Sequence, residues 1–241
     1  MAKNPDWHQL SENLVRLQIV FPRAHSEGGY SPTPETLMNL IKNMKNIKDL
    51  TLKGISGDPV PLDQFLNQLP TLSKLVLGNC FLCFSHHMEF KHESLQTLHI
   101  LEDEFHLDQL YGLIPQKLVK MFPNLEELVL RPSLPLTFSG FLLEQVWFLC
   151  SLQYLKRLEI TISSLDCANN MPELIYVLRD FPALRYLTIS WGQFVDLNNY
   201  RMARLISWLH TALEADNANI HVQTCYSMHS SLYSNPPTTL T

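Results

Sequence analysis

Residues 72–87 read LSKLVLGNCFLCFSHH, with Cys80 and Cys83 three positions apart ahead of His86, His87 and, further on, His92. Thiolates and imidazoles in such company are the donors that hold zinc, which takes four ligands in a tetrahedron. The chemistry that would follow is a zinc-dependent reaction built around Cys80 and Cys83. The segment supplies a single C-x-x-C and loop histidines, and cysteine also serves readily as a small buried hydrophobe. What these residues do is decided by the elements that carry them.

Other catalytic signatures are absent from the sequence. It contains no G-x-S-x-G, no G-x-x-x-x-G-K-S/T, no G-x-G-x-x-G and no H-E-x-x-H, and its 8 glycines leave few candidates for a phosphate-cradling loop. The expectation is a protein that is not an enzyme and carries no cofactor. The formal net charge is −5, and the 18 lysines and arginines are scattered, which gives no footprint for nucleic acid. The amino terminus lacks an apolar signal region, and no uncharged apolar run approaches the roughly 20 residues that cross a bilayer. The 5 cysteines cannot all pair, and no Asn-x-Ser/Thr acceptor occurs. An intracellular location, cytoplasmic or nuclear, is expected, with no membrane partner.

The zinc-like segment has relatives along the chain. Leu72, Leu75, Leu77, Cys80 and Leu82 follow the spacing L-x-x-L-x-L-x-x-C-x-L. The spacing returns at Leu95, Leu98, Ile100, at Leu125, Leu128, Leu130, at Leu155, Leu158, Ile160 and at Leu184, Leu187, Ile189. Upstream it fits Ile47, Leu50, Leu52 and, more loosely, Leu14, Leu17, Ile19; a frayed copy stands at Ile220, Val222 and Cys225. In each copy the L-x-L step predicts a short strand whose leucines face a core while the residues between them face outward. The intervening segments 37–44, 62–69, 113–122, 141–149, 172–181 and 200–209 have helical apolar spacing. Several end in a Pro-x-Leu step, as in LPTL, FPNL and FPAL, where proline stops the helix and the next leucine opens a strand.

This pattern resembles the leucine-rich repeat family, and in particular the repeat domains of F-box proteins, over residues 14 to 225. The resemblance implies an α/β leucine-rich-repeat solenoid with a curved parallel β-sheet on the concave side and α-helices on the convex side. It divides the chain into a short N-terminal cap segment at 1–13, a domain of seven to eight irregular repeats at 14–225 and a flexible polar tail at 226–241. The repeat positions marked by residues 14, 47, 72, 95, 125, 155, 184 and 217 give steps between 23 and 33 residues. Cys80 falls at the family's Asn/Cys position, where a small side chain supports the turn leaving the strand, which accounts for it without metal. In the loop 25–35, Pro34 is expected to start a helix at its first position, with Thr33 as its cap.

The resemblance implies a non-catalytic module that binds a protein partner on its concave sheet. One form of that role is substrate recognition for a ubiquitin ligase. No F-box precedes the first repeat, so a ligase adaptor would attach through a region missing from this chain. A regulatory inhibitor or a GTPase activator is the alternative, and the zinc-dependent enzyme a remoter one. The register places the outward residues in columns. Val76, His99, Leu101 and Val129 are expected to form an exposed apolar cluster, bordered by Lys74, Glu127, Arg131 and Arg157, with Glu159 and Tyr186 further along. These ten residues are the expected partner-binding site, and Val129→Asp is expected to abolish binding with little effect on stability.

Overall fold

The computed structural model describes residues 14–20, 34–42, 44–55, 60–78, 80, 82–83, 90–101, 114–131, 146–162, 171–191, 204, 207–208, 211–213 and 220–226. Each L-x-L step forms a strand. In chain order the elements are β1 (Arg16–Val20), α1 (Pro34–Ile41), β2 (Asp49–Lys53), β3 (Val60–Pro61), α2 (Leu62–Asn67), β4 (Lys74–Gly78), β5 (Leu82–Cys83) and β6 (Thr97–Leu101). There follow α3 (Ile114–Met121), β7 (Glu127–Arg131), β8 (Arg157–Ile162), α4 (Met171–Arg179), β9 (Tyr186–Trp191) and β10 (His221–Tyr226). Residues 146–149 and 211–213 are helical as well.

Eight of the strands make one parallel sheet in the order β1-β2-β4-β6-β7-β8-β9-β10, which follows the chain and does not close on itself. The two short strands β3 and β5 pair separately, also in parallel, with Pro61 opposite Cys83. Nothing in the spacing foreshadowed this second sheet. Pro34 stands at the first position of α1, as its fixed φ and missing N–H favour. Tyr226, expected to open the tail, ends β10. The remainder of that tail, the cap segment 1–13 and Thr33 lie outside the described residues.

Alternation along the strands supplies half of the core. Leu50 and Leu52, Leu75 and Leu77, Leu98 and Ile100, Leu158 and Ile160, and Leu187 and Ile189 are all buried. The helices supply the other half through residues three or four apart, such as Leu37 and Ile41 or Ile175 and Leu178. All of these belong to one hydrophobic cluster, which places the helices on the leucine face of the sheet. At the two edge strands the inward residues Leu17, Ile19 and Val222 are only partly buried, as each edge has a single neighbouring strand.

Successive repeats are joined by the same main-chain device. The carbonyl just before a strand accepts two consecutive amides at the start of the next. Val15 accepts from Lys48 and Asp49, Lys48 from Ser73 and Lys74, and Ser73 from Gln96 and Thr97. Gln96, Glu126 and Lys156 then do the same for the strands that follow them, and every bond in these six pairs measures 2.8–3.1 Å. A side-chain ladder runs beside it. Thr71 Oγ1 donates to the Lys45 carbonyl at 2.6 Å, Ser94 Oγ to Pro70 at 2.8 Å and Asn124 Nδ2 to Glu93 at 2.9 Å. Each donor immediately precedes a repeat-opening leucine and reaches the matching carbonyl of the previous repeat.

His92 departs from the apolar pattern of the repeats. Three positions before a repeat-opening leucine the other repeats place Leu69, Phe122, Leu152 and Phe181, all buried, whereas the repeat of β6 places a histidine that is buried just as deeply. Its Nε2 donates to the Leu69 carbonyl at 2.9 Å, and its backbone N–H donates to the Met121 carbonyl at 2.7 Å. One residue thus ties the chain end of α2 to that of α3. A carbonyl oxygen can only accept, so Nε2 carries the proton, and Nδ1 is left buried without a hydrogen-bond partner. Burial holds the His92 pKa below 6.5, and the Leu69 hydrogen bond opposes that shift only in part.

A histidine depressed in the folded state binds its proton more readily when unfolded, so its contribution is fully present above pH of about 6.5 and is lost as pH falls below it. Thermal denaturation of the wild type between pH 7 and pH 5 should therefore show a fall in midpoint that is smaller in His92→Leu. Equal pH dependence in the two proteins would contradict this role for His92.

Candidate functional site

The face of the sheet opposite the leucines is built by the residues between them, and the parallel register sets them in three columns. The first carries Lys74, Thr97, Glu127, Arg157 and Tyr186 side by side on neighbouring strands. The middle column carries Val76, His99, Val129, Glu159 and Thr188. In the third, Gly78 lies opposite Leu101 and Leu101 opposite Arg131. All ten residues expected from the sequence therefore sit on one face of β4 and β6 to β9.

Their exposure differs from the expected apolar cluster. Val76 is 8% exposed and Val129 4%, so neither forms a surface for a partner to cover. Valine is shorter than the histidine, glutamate and arginine side chains around it, and strands about 4.8 Å apart leave it below their level. His99 and Leu101 are half-buried, while Arg131, Arg157 and Tyr186 are exposed. Val129→Asp would bury a carboxylate, and loss of stability replaces the clean binding defect that exposure would have allowed.

Polar pairing dominates the face instead. His99 Nε2 lies 3.0 Å from Glu127 Oε1, and Arg157 Nη1 approaches the same oxygen at 3.8 Å. The Arg157 guanidinium stands over the Tyr186 ring, 5.5 Å from its centroid, and Tyr186 stacks on His221 at 5.6 Å between centroids. One chain of contacts thus crosses β6, β7, β8, β9 and β10. A second centres on the buried Glu159, whose Oε1 accepts from Arg131 Nε and, at 3.3 Å, from Ser190 Oγ. On β1 and β2, Arg16 Nε meets Asp49 Oδ2 at 3.0 Å. Sequence reasoning set these charges side by side but did not pair them; opposite charges on adjacent strands were the available signal.

Of the candidate zinc ligands, Cys80 and His92 are engaged by main-chain carbonyls. Cys80 is buried, with Sγ 3.5 Å from the Leu52 carbonyl and 3.5 Å from that of Gly78, so it braces the turn after β4. Gly54, at φ 74°, makes the corresponding turn after β2 and donates its N–H to the Gly78 carbonyl at 2.8 Å. The Cys83 side chain, His86 and His87 lie outside the described residues. Among the described residues no three His, Cys, Asp or Glu side chains are grouped to hold a metal ion. Cys150 Sγ lies 3.3 Å from the Val177 carbonyl; burial, helped by Asp180, pushes its thiol up to about 12. A thiol held protonated at neutral pH is a poor nucleophile.

No protein-family model matches the chain, and no curated protein matches it. The fold is an α/β repeat-like stack with one eight-stranded parallel sheet. None of the described helices is long and apolar enough to cross a membrane.

Removing the Arg131 side chain would strand the buried Glu159 carboxylate. Arg131→Met is expected to cost about 1–3 kcal/mol, and adding Glu159→Gln to recover part of it. Urea denaturation of the four proteins of this cycle measures the coupling, and strict additivity would show that the pair contributes nothing.

Proposed function

We propose that the chain is a leucine-rich-repeat binding module, without catalytic activity of its own, that presents the polar face of its sheet to a protein partner. The observation that carries this reading is the division of labour between the two faces. Strand leucines and helix residues close a single core on one side. The other side shows columns of polar side chains, among them the exposed Arg157 and Tyr186. A regular array of such columns is an extended surface of the type repeat stacks use for binding. Arginine and tyrosine are also residue types that concentrate interface energy. Substrate recognition for a ubiquitin ligase is one use to which such a face lends itself; inhibition of an enzyme or activation of a GTPase would use the same surface.

Two tyrosines make the test symmetrical. Tyr186 is exposed on the sheet face, and Tyr176 is exposed on α4. A photo-reactive phenylalanine placed at either position can be irradiated in lysate and its adducts identified. Adducts to a discrete protein from position 186, absent from position 176, are expected. The reverse pattern would move the binding surface to the helices.

A further inference from the structure

The three arginine pairs of the sheet face share a polarity. In each of them the cation lies outermost and the carboxylate beneath it. The Arg16 side chain is 81% exposed against 22% for Asp49, Arg131 53% against 11% for Glu159, and Arg157 54% against 30% for Glu127. Arginine reaches past a shorter carboxylate while its stem covers apolar surface, so the pairing positions guanidinium groups at the level where a partner would arrive. The carboxylates hold those groups in place and remain less accessible themselves.

Two further cations stand on the same face with no ion-pair partner among the described residues. Lys74 lies in the first column of β4, and Lys53 in the third column of β2. The Lys53 stem crosses Gly78, where an added Cβ would come within 3.2 Å of its Cγ. The absence of a side chain at Gly78 gives that lysine its course across the sheet. Counting histidine as neutral, the outward columns hold five cations (Arg16, Lys53, Lys74, Arg131 and Arg157) against three carboxylates, a local charge of +2 on a chain whose net charge is −5.

We infer that this face recognises an acidic protein segment. The inference rests on the proposed use of the sheet face and adds the chemistry of the partner. Guanidinium groups pair with carboxylates in defined geometry, and a locally positive face attracts an acidic segment. A nucleic acid fits less well. Its closely spaced phosphates would come to lie against Asp49, Glu127 and Glu159, and the exposed Tyr186 ring is already occupied by Arg157 and His221.

The probe is a fluorescein-labelled oligo-glutamate peptide, with oligo-lysine and a labelled single-stranded oligonucleotide of similar length as comparisons. Fluorescence anisotropy should show binding of oligo-glutamate alone, weakening as ionic strength rises from about 0.05 to 0.3 M. Lys74→Gln and Arg157→Gln should each weaken it about threefold or more, while Lys120→Gln on α3 leaves it unchanged. The Lys120 variant removes the same charge from the helix side, so an equal loss there would reveal mere net-charge attraction and overturn the inference. Absence of oligo-glutamate binding, or tighter binding of the oligonucleotide, would overturn it too. If oligo-glutamate fails while photo-adducts still form at position 186, the acidic partner is wrong and the binding face stands; if both fail, the face itself is wrong.

Discussion

No repeat in this protein can bury its own leucines, and everything else follows from that dependence. A strand of five or six residues offers two or three inward side chains, too few for a core. They become buried only when the next strand is laid alongside in matching register. The paired hydrogen bonds to the carbonyl preceding each strand set that register six times over, from Val15 to Lys156. A slip of one residue at any joint would exchange the leucines for the polar columns. Stability and orientation are thus the same property here, because the joint that buries the leucines also fixes what the other face shows.

The same economy explains the irregularity between the strands. Repeat steps range from 23 to 33 residues, yet the strands remain in step because only the strand and the turn before it make the joint. The shortest step runs from Leu72 to Leu95. There a histidine takes a position that is apolar in the neighbouring repeats, and its ring and backbone satisfy main-chain carbonyls at the ends of two helices. Buried polar atoms need such partners, and His92 keeps one atom, Nδ1, without one. On the opposite face the charges are arranged as pairs rather than as a uniform field, which keeps Glu159 tolerable at its depth.

Much of this was legible in the residues because the side-chain period of a strand is two and the repeat supplied its phase. Leu75, Leu128, Leu158 and Leu187 are fully buried at the positions the spacing assigned, and the columns from Lys74 to Tyr186 align as the register required. Depth within a column was not legible. Val76 and Val129 look like a surface cluster when only their direction is known, and become buried once longer neighbours stand beside them. The ladder of Thr71, Ser94 and Asn124 was visible as polar residues before a leucine, but its acceptors are main-chain atoms of another repeat, which a linear pattern does not place. The pairing of β3 with β5 has no periodic signal, since two residues are too few to show one.

Residue-resolved hydrogen–deuterium exchange reads the joint between repeats directly. Under native conditions the amides of Gln96, Glu126 and Lys156, each bonded to the carbonyl before the preceding strand, should exchange far more slowly than in the urea-unfolded chain, and their protection should be lost together with that of the strands they open. Exchange of these three amides at unfolded rates, in a protein that is otherwise folded, would show that these bonds do not join the repeats.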